Sequence, residues 1–365
     1  MKRMTRSMVV EKPGFIGMKE FPVPEIGPED GLLRIEMAGV CVSDPGLFHG
    51  KAFSLPIVYP LILGHEIVGR IEEIGEEAGR RRNLKKGDRV IVETAFGCGF
   101  CRACLTGSYV QCESSLMYGH TISCDKPPHL WGAYGEYLYL APRAMVHKIS
   151  DDLPAEAAVL IGAVLGNAVR WLRMFGNVSI GHTVVIEGPG LQGLAAVIVA
   201  RESGASRIIV TGLRKDASRF ALAREFGATD CIFADEHDPV EAVREITGGR
   251  MAHIVMDVTG TPKGAVTALD LVGRRGTIIL PGIYGAEKAI PLALDKVVFK
   301  EVRVQGVLSQ SMDSVVPAVA LAELRKYPIE KMVTHRFALS EAEKALKIVG
   351  REIEDEGAIK VVLVP

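Results

Sequence analysis

Between Thr183 and Glu202 the chain reads TVVIEGPGLQGLAAVIVARE: a short β-branched run, a glycine-rich turn and a long apolar run. The first five residues have the pattern of a strand buried on both faces, and Leu191 onward that of a helix ending near Gly204. Beyond it, short apolar runs alternate with helical periodicity. Residues 207–211, 231–233, 253–258 and 277–280 read as strands, and 217–226, 239–247 and 262–271 as helices. That alternation predicts a doubly wound parallel sheet, the α/β architecture of a Rossmann domain.

Upstream the pattern differs. Residues 32–40, 66–75, 88–93 and 136–141 are short apolar runs separated by Gly-Asp and Gly-Lys turns, which predicts a mostly β, barrel-like (GroES-like) domain. Residues 155–175 turn helical and lead into the parallel-sheet domain. After a last strand near 302–307, helices at 312–324 and 340–349 precede VVLV, and this segment is expected to rejoin the first domain and complete its sheet. The expected division is 1–154 with 309–365, and 155–308. The three arginines Arg80, Arg81 and Arg82 read as a solvated turn.

At 365 residues, 48% hydrophobic and 24% charged, the chain has the composition of a folded globular protein with room for two cores. A formal net charge of -1 offers no global field for nucleic acid or an anionic membrane. No apolar run is read as membrane-spanning, and the basic start MKRMTRSMVV lacks a following apolar stretch, so a cytoplasmic protein is expected. Seven cysteines, four of them crowded into one loop, fit metal ligation and core packing better than disulfides.

The glycine turn carries specific chemistry. Gly188 allows the tight turn, Gly190 lets the backbone approach a pyrophosphate, and Gly193 lets the helix pack on its strand; Pro189 and Leu191 fill the positions between. The helix start offers free N–H groups and a positive dipole end to phosphates. An acidic residue at the end of the next strand would bind the ribose hydroxyls of NAD, but Gly212 stands there, followed by Leu213, Arg214 and Lys215. Without that repulsion, Arg214 and Lys215 can pair with a 2′-phosphate, so NADP is expected over NAD.

The segment GCGFCRACLTGSYVQC spaces Cys98, Cys101, Cys104 and Cys112 so that four thiolates can close a tetrahedron around a structural zinc. An iron–sulfur cluster or four free thiols are the other readings. A second, dispersed set comprises Cys41 and Ser43 in GVCVSD and His65 and Glu66 in GHE.

These segments, with YGEY and GPGLQG, occur in the order seen in zinc-dependent medium-chain alcohol and polyol dehydrogenases, and the chain resembles that family over essentially its whole length. The resemblance implies a catalytic zinc held by Cys41 and His65 between the domains, with Ser43 relaying the alcohol proton. It also implies a small-molecule alcohol or ketone substrate and a homodimer or homotetramer. A zinc with an open position polarises an alcohol oxygen and eases hydride loss to a nicotinamide.

Ala163 falls where the family has its third protein ligand, a Cys, Asp or Glu. Either Glu66 supplies that ligand, or zinc binds poorly and the activity is altered or lost. Gly46 stands where relatives often carry a relay histidine, and His49 reads as a surface or pocket-lining residue. Phe48, Phe53, Leu116 and Trp131 are candidates for lining a substrate pocket, with plain core the competing role. The loop 279–285 is expected beside the nicotinamide. The alternatives kept open are a zinc-independent NADPH reductase of the same fold and a non-catalytic NADP-binding zinc protein.

Overall fold

The computed structural model describes residues 3–51, 57–284, 289–355 and 357–365. Phe53 and Gly285 of the expected pocket and loop lie outside the described residues. The chain divides into two compact units: Met1–Ala163 with Gln310–Met312 and Ala318–Pro365, and Val164–Ser309 with Asp313–Pro317.

The first unit begins with β1 (Met4–Lys12), β2 (Phe15–Pro22), β3 (Gly31–Val40), β4 (Leu61–Ile62), β5 (Glu66–Ile74), β6 (Arg89–Val92), β7 (Tyr137–Leu140) and β8 (Val146–Lys148). The second contains β9 (Thr183–Glu187), β10 (Arg207–Gly212), β11 (Asp230–Phe233), β12 (Ala252–Asp257), β13 (Val272–Leu280) and β14 (Arg303–Gly306). The chain then returns to the first unit with β15 (Val333–Ala338) and β16 (Lys360–Val364).

In the first unit a small sheet, β2-β1-β4, accompanies a seven-stranded one ordered β15-β16-β3-β5-β6-β8, with β7 also on β3. The C-terminal segment thus completes this sheet, because β16 pairs antiparallel with β3 and parallel with β15. Leu32, Leu33, Ile35 and Val40 of β3 join Ile67, Ile71, Val90 and Val92 in one core. Two register facts position the site: Gly39 pairs with Glu66, and Val40 with Val361. They set the end of β3, the start of β5 and the start of β16 side by side.

The second unit is a parallel sheet ordered β11-β10-β9-β12-β13-β14, the doubly wound arrangement expected from the alternation. Helices Leu191–Glu202, Ala217–Glu225, Pro239–Thr247 and Pro262–Leu271 connect its strands. Val185 on β9 packs with Val243, Ala268 and Leu269, so that face of the sheet is covered by the latter two helices.

Some expectations need correction. The three arginines close a helix, Glu76–Arg82, and Arg82 is drawn inward, its guanidinium donating to the carbonyls of Ala141 (3.1 Å) and Pro142 (2.6 Å). Ala155–Phe175, 21 residues, is long and apolar enough to cross a membrane by composition. It is a core helix instead: 72% of its most apolar window is buried inside the protein. Within it, Ile161–Gly166 and Val169–Phe175 adopt the wider π-helical winding that interrupts helices at irregular sites.

Candidate functional site

Cys41 follows β3 directly, His65 immediately precedes β5 and Glu66 opens it, so antiparallel pairing of the two strands brings the three together. One donor atom from each lies within 4.8 Å of the others; His65 and Glu66 are buried and Cys41 is half-buried. Gly64, with φ +93°, turns the chain into β5 where an added Cβ would meet the Tyr134 ring at 2.5 Å.

Behind the donors lies Asp44, fully buried. Its Oδ2 accepts the Cys41 backbone N–H at 2.8 Å and the Tyr134 hydroxyl at 2.9 Å. Its Oδ1 faces His65 Nδ1 at 3.3 Å, an electrostatic contact and not an aligned hydrogen bond. This arrangement reserves Nε2 of His65 for the donor cluster. Burial opposes charge on His65, yet Asp44 and Cys41 more than offset it and hold the ring well above the usual imidazole range. Burial likewise works to raise Asp44, but His65 outweighs it and keeps the carboxyl below its ordinary value.

Three residues at this site were not assigned from sequence. Asp44 stands inside the quoted GVCVSD motif, three positions from Cys41, and that spacing was the available signal. Lys360, 1% exposed, pairs with Glu66 Oε2 and donates to the Val40 carbonyl at 2.9 Å. Nothing local marks it, because only the β16–β3 pairing brings it there. His120 lies against His65 with ring centroids 4.2 Å apart; burial and the neighbouring His65 push it down to about 4.

The remaining first-unit candidates are placed as follows. Ser43 precedes the short helix Asp44–Phe48 and makes no side-chain capping bond. His49 Nε2 pairs with Glu352 Oε1 at 2.5 Å. Ala163 is buried in the π-helical segment and offers no ligand atom. Phe48 and Trp131 are core residues, and Leu116 packs against that core.

The four-cysteine loop is already close to a metal tetrahedron. Cys98 and Cys104 sulfurs are 4.0 Å apart, as are those of Cys101 and Cys112. Zn–S bonds of about 2.3 Å give a tetrahedral edge of about 3.8 Å. Backbone N–H groups of Phe100 and Cys101 donate to Cys98 Sγ, both at 3.4 Å, and pull its thiol down to about 6.

In the second unit the glycine turn has the predicted form. Gly188 has φ +106°, a Cβ on Gly193 would sit 2.0 Å from the Gly188 carbonyl oxygen, and Gly190 faces open space as it starts the helix Leu191–Glu202. At Gly212 a Cβ would meet Pro189 Cδ at 2.7 Å, so a side chain there requires a shift of Pro189. The Arg214 guanidinium lies 4.9 Å from the Phe233 ring centroid and 3.6 Å from Glu236, while its backbone N–H is held by Asp235. Lys215 continues this exposed turn.

Two stretches of the chain match family models: residues 27–151 the alcohol dehydrogenase GroES-like domain, and residues 193–325 the zinc-binding dehydrogenase. A probable alcohol dehydrogenase of Mycobacterium tuberculosis is 36% identical over 368 residues, covering 99% of both chains. An L-threonine 3-dehydrogenase of Bacillus velezensis is 31% identical, covering 95% of both. Among solved structures, an alcohol dehydrogenase from Thermotoga maritima superposes with a TM-score of 0.89 at 29% identity over 100% of both chains. The chain belongs to the zinc-type medium-chain alcohol dehydrogenase family. It is an oxidoreductase acting on alcohols.

Proposed function

We propose that the protein moves a hydride between a secondary alcohol or polyol, or the corresponding ketone, and NADP, using a catalytic zinc at Cys41, His65 and Glu66. The observation that carries this reading is the donor cluster itself: thiolate, imidazole and carboxylate within 4.8 Å, with Asp44 behind the imidazole. This donor set suits zinc, and a carboxylate behind a ligating histidine fixes the ring and raises its basicity. Three protein ligands leave a fourth position open, as a catalytic site requires. Zinc bound there supplies Lewis acidity toward the substrate oxygen.

The chain's own residues do the rest. Ser43 Oγ, free of any capping bond, takes the alcohol proton. Lys360 engages Glu66 Oε2, and a carboxylate keeps its second oxygen for a metal. Cys98, Cys101, Cys104 and Cys112 hold a second, structural zinc. On the cofactor side Gly188, Pro189, Gly190, Leu191 and Gly193 form the phosphate turn, and Arg214 and Lys215 beside Gly212 favour a 2′-phosphate. The outer edge of β14, unpaired among the described residues and carrying exposed Val304, together with Val298 and Phe299 on the helix Leu294–Lys300, supports self-association as a dimer or tetramer. A cytoplasmic location fits a cofactor-dependent enzyme of this kind.

Ala163 favours a second reading, a zinc-independent NADPH reductase of the same fold. A panel of secondary alcohols and polyols assayed with NADP and with NAD separates the two. Alcohol oxidation that is faster with NADP and lost in Cys41→Ser supports the proposal. Reduction of activated double bonds by NADPH, undiminished in Cys41→Ser and without alcohol oxidation, overturns it.

A further inference from the structure

Glu187 is the last residue of β9, immediately before Gly188, and it is 4% exposed. Its Oε2 has no hydrogen-bond partner among the described residues. Opposite it in register, on the adjacent parallel strand β12, stands Asp257, wholly buried. Strands β9 and β12 are where the sheet order reverses, and in doubly wound sheets the ligand crosses the strand ends at that point.

The two carboxyls are not equivalent. Asp257 is surrounded by donors: Thr259 N–H (2.8 Å) and hydroxyl (2.6 Å) on Oδ1, and the Tyr284 hydroxyl (2.8 Å) on Oδ2. The first turn of the helix Pro262–Leu271 packs against it, since a Cβ on Gly264 would meet Asp257 Oδ1 at 2.7 Å. Asp257 therefore has what an anion needs, whereas among the described residues no hydrogen bond compensates a charge at Glu187 Oε2. Burial first, and then the Asp257 charge, push the Glu187 carboxyl well above its ordinary range.

The groups facing Glu187 are few. Asp257 comes from β12 and Tyr284 from the loop after β13, the latter itself raised by burial and by Asp257. The β10 neighbour is Thr211, which does not titrate. The start of the helix Leu191–Glu202 brings Leu191, Gln192 and Gly193, none of them titratable, and Lys263 on the other helix is exposed. Among the described residues, no cation thus offsets a second negative charge beside the phosphate turn.

We infer that Glu187 is a cofactor-binding residue that acts as a neutral acid, its carboxyl proton donated to an oxygen of the bound dinucleotide, so that ionised Glu187 repels the cofactor. This rests on the dinucleotide reading of the glycine turn. The anionic cofactor disfavours ionised Glu187 further, so binding retains or takes up a proton. Affinity is highest below the free protein's Glu187 titration and falls as pH rises through it, by up to about tenfold per pH unit for one linked proton.

The test is NADH binding, chosen because NADH lacks the titrating 2′-phosphate of NADPH. Dissociation constants are measured by fluorescence from about pH 6 to about pH 9 for the wild type and Glu187→Gln. Calorimetry of the wild type in two buffers of different ionisation enthalpy reads the proton directly. The expected result is a wild-type affinity that weakens with pH accompanied by proton uptake. In Glu187→Gln the affinity stays flat and exceeds that of the wild type at high pH. Identical pH profiles in the two proteins, absence of proton uptake at the pH values where the wild-type affinity falls, or weaker binding by the variant at every pH would overturn the inference. Failure of the wild type to bind either NADH or NADPH at any pH would instead overturn the dinucleotide reading on which it rests.

Discussion

Asp44 shows how one buried carboxylate can set a whole site. It holds the Cys41 backbone, the Tyr134 hydroxyl and the Nδ1 side of His65 at once. Replacing it by asparagine keeps the shape and removes the charge that supports the imidazole. Asp44→Asn is expected to lower affinity for the second zinc by about 10–100-fold, read by competition with a chelator, while the four-cysteine zinc is unaffected. Glu187 gives a residue-level prediction for stability. Its raised pKa means that the native state holds a proton the unfolded chain releases above about pH 4.3. Stability contributed at this position therefore falls as pH climbs from that value toward the native pKa. Glu187→Gln should gain stability over the wild type in urea unfolding at pH 8 and show a smaller gain near pH 4; an equal difference at both would contradict it. The candidate site residues were legible because their types and spacing are local: Cys41 with Ser43, His65 with Glu66, and the four cysteines. Lys360 was not, because a charge next to VVLV looks like the flank of a strand until β16 pairs with β3.

At the scale of elements, the glycine turn is where sequence and backbone agree most closely. Gly193 leaves the helix Leu191–Glu202 so near its strand that even one methyl would press on the Gly188 carbonyl oxygen. Gly193→Ala is expected to destabilise the protein by about 1–3 kcal/mol in urea unfolding and to weaken dinucleotide binding with it. The parallel-sheet strands were readable because each is a continuous apolar run buried on both faces, as in Val184, Val185 and Ile186 of β9. Strand β2 was not, since FIGMKEFP is largely exposed and is held by its ladder with β1 rather than by a hydrophobic pattern. The Glu76–Arg82 helix was missed for a similar reason: its only buried side chain is Ala78, and Arg82 is fixed by carbonyls distant in sequence. Tertiary pairing, not local preference, decides such segments.

On the scale of the whole molecule, the two proposed metal sites differ in character. The four-cysteine loop supplies all its ligands from residues 98–112, whereas the Cys41 site needs the sheet of the first unit to assemble it. Metal removal should reflect this. A chelator should first abolish alcohol oxidation with little loss of stability, and prolonged treatment that strips the loop should lower the thermal midpoint. The family and the reaction class follow from the chain as a whole. The resemblance implies a third zinc ligand where this chain has Ala163, and the proposed departure is that Glu66, shared with Lys360, supplies it.

That departure makes metal stoichiometry the most direct test of the account. Zinc per chain is measured by elemental analysis on protein purified without chelator or added metal, for the wild type and for Cys41→Ser. The account predicts about two zincs in the wild type and about one in the variant. About one zinc in both, unchanged when zinc is supplied, would contradict it and leave the four-cysteine loop as the protein's only zinc site.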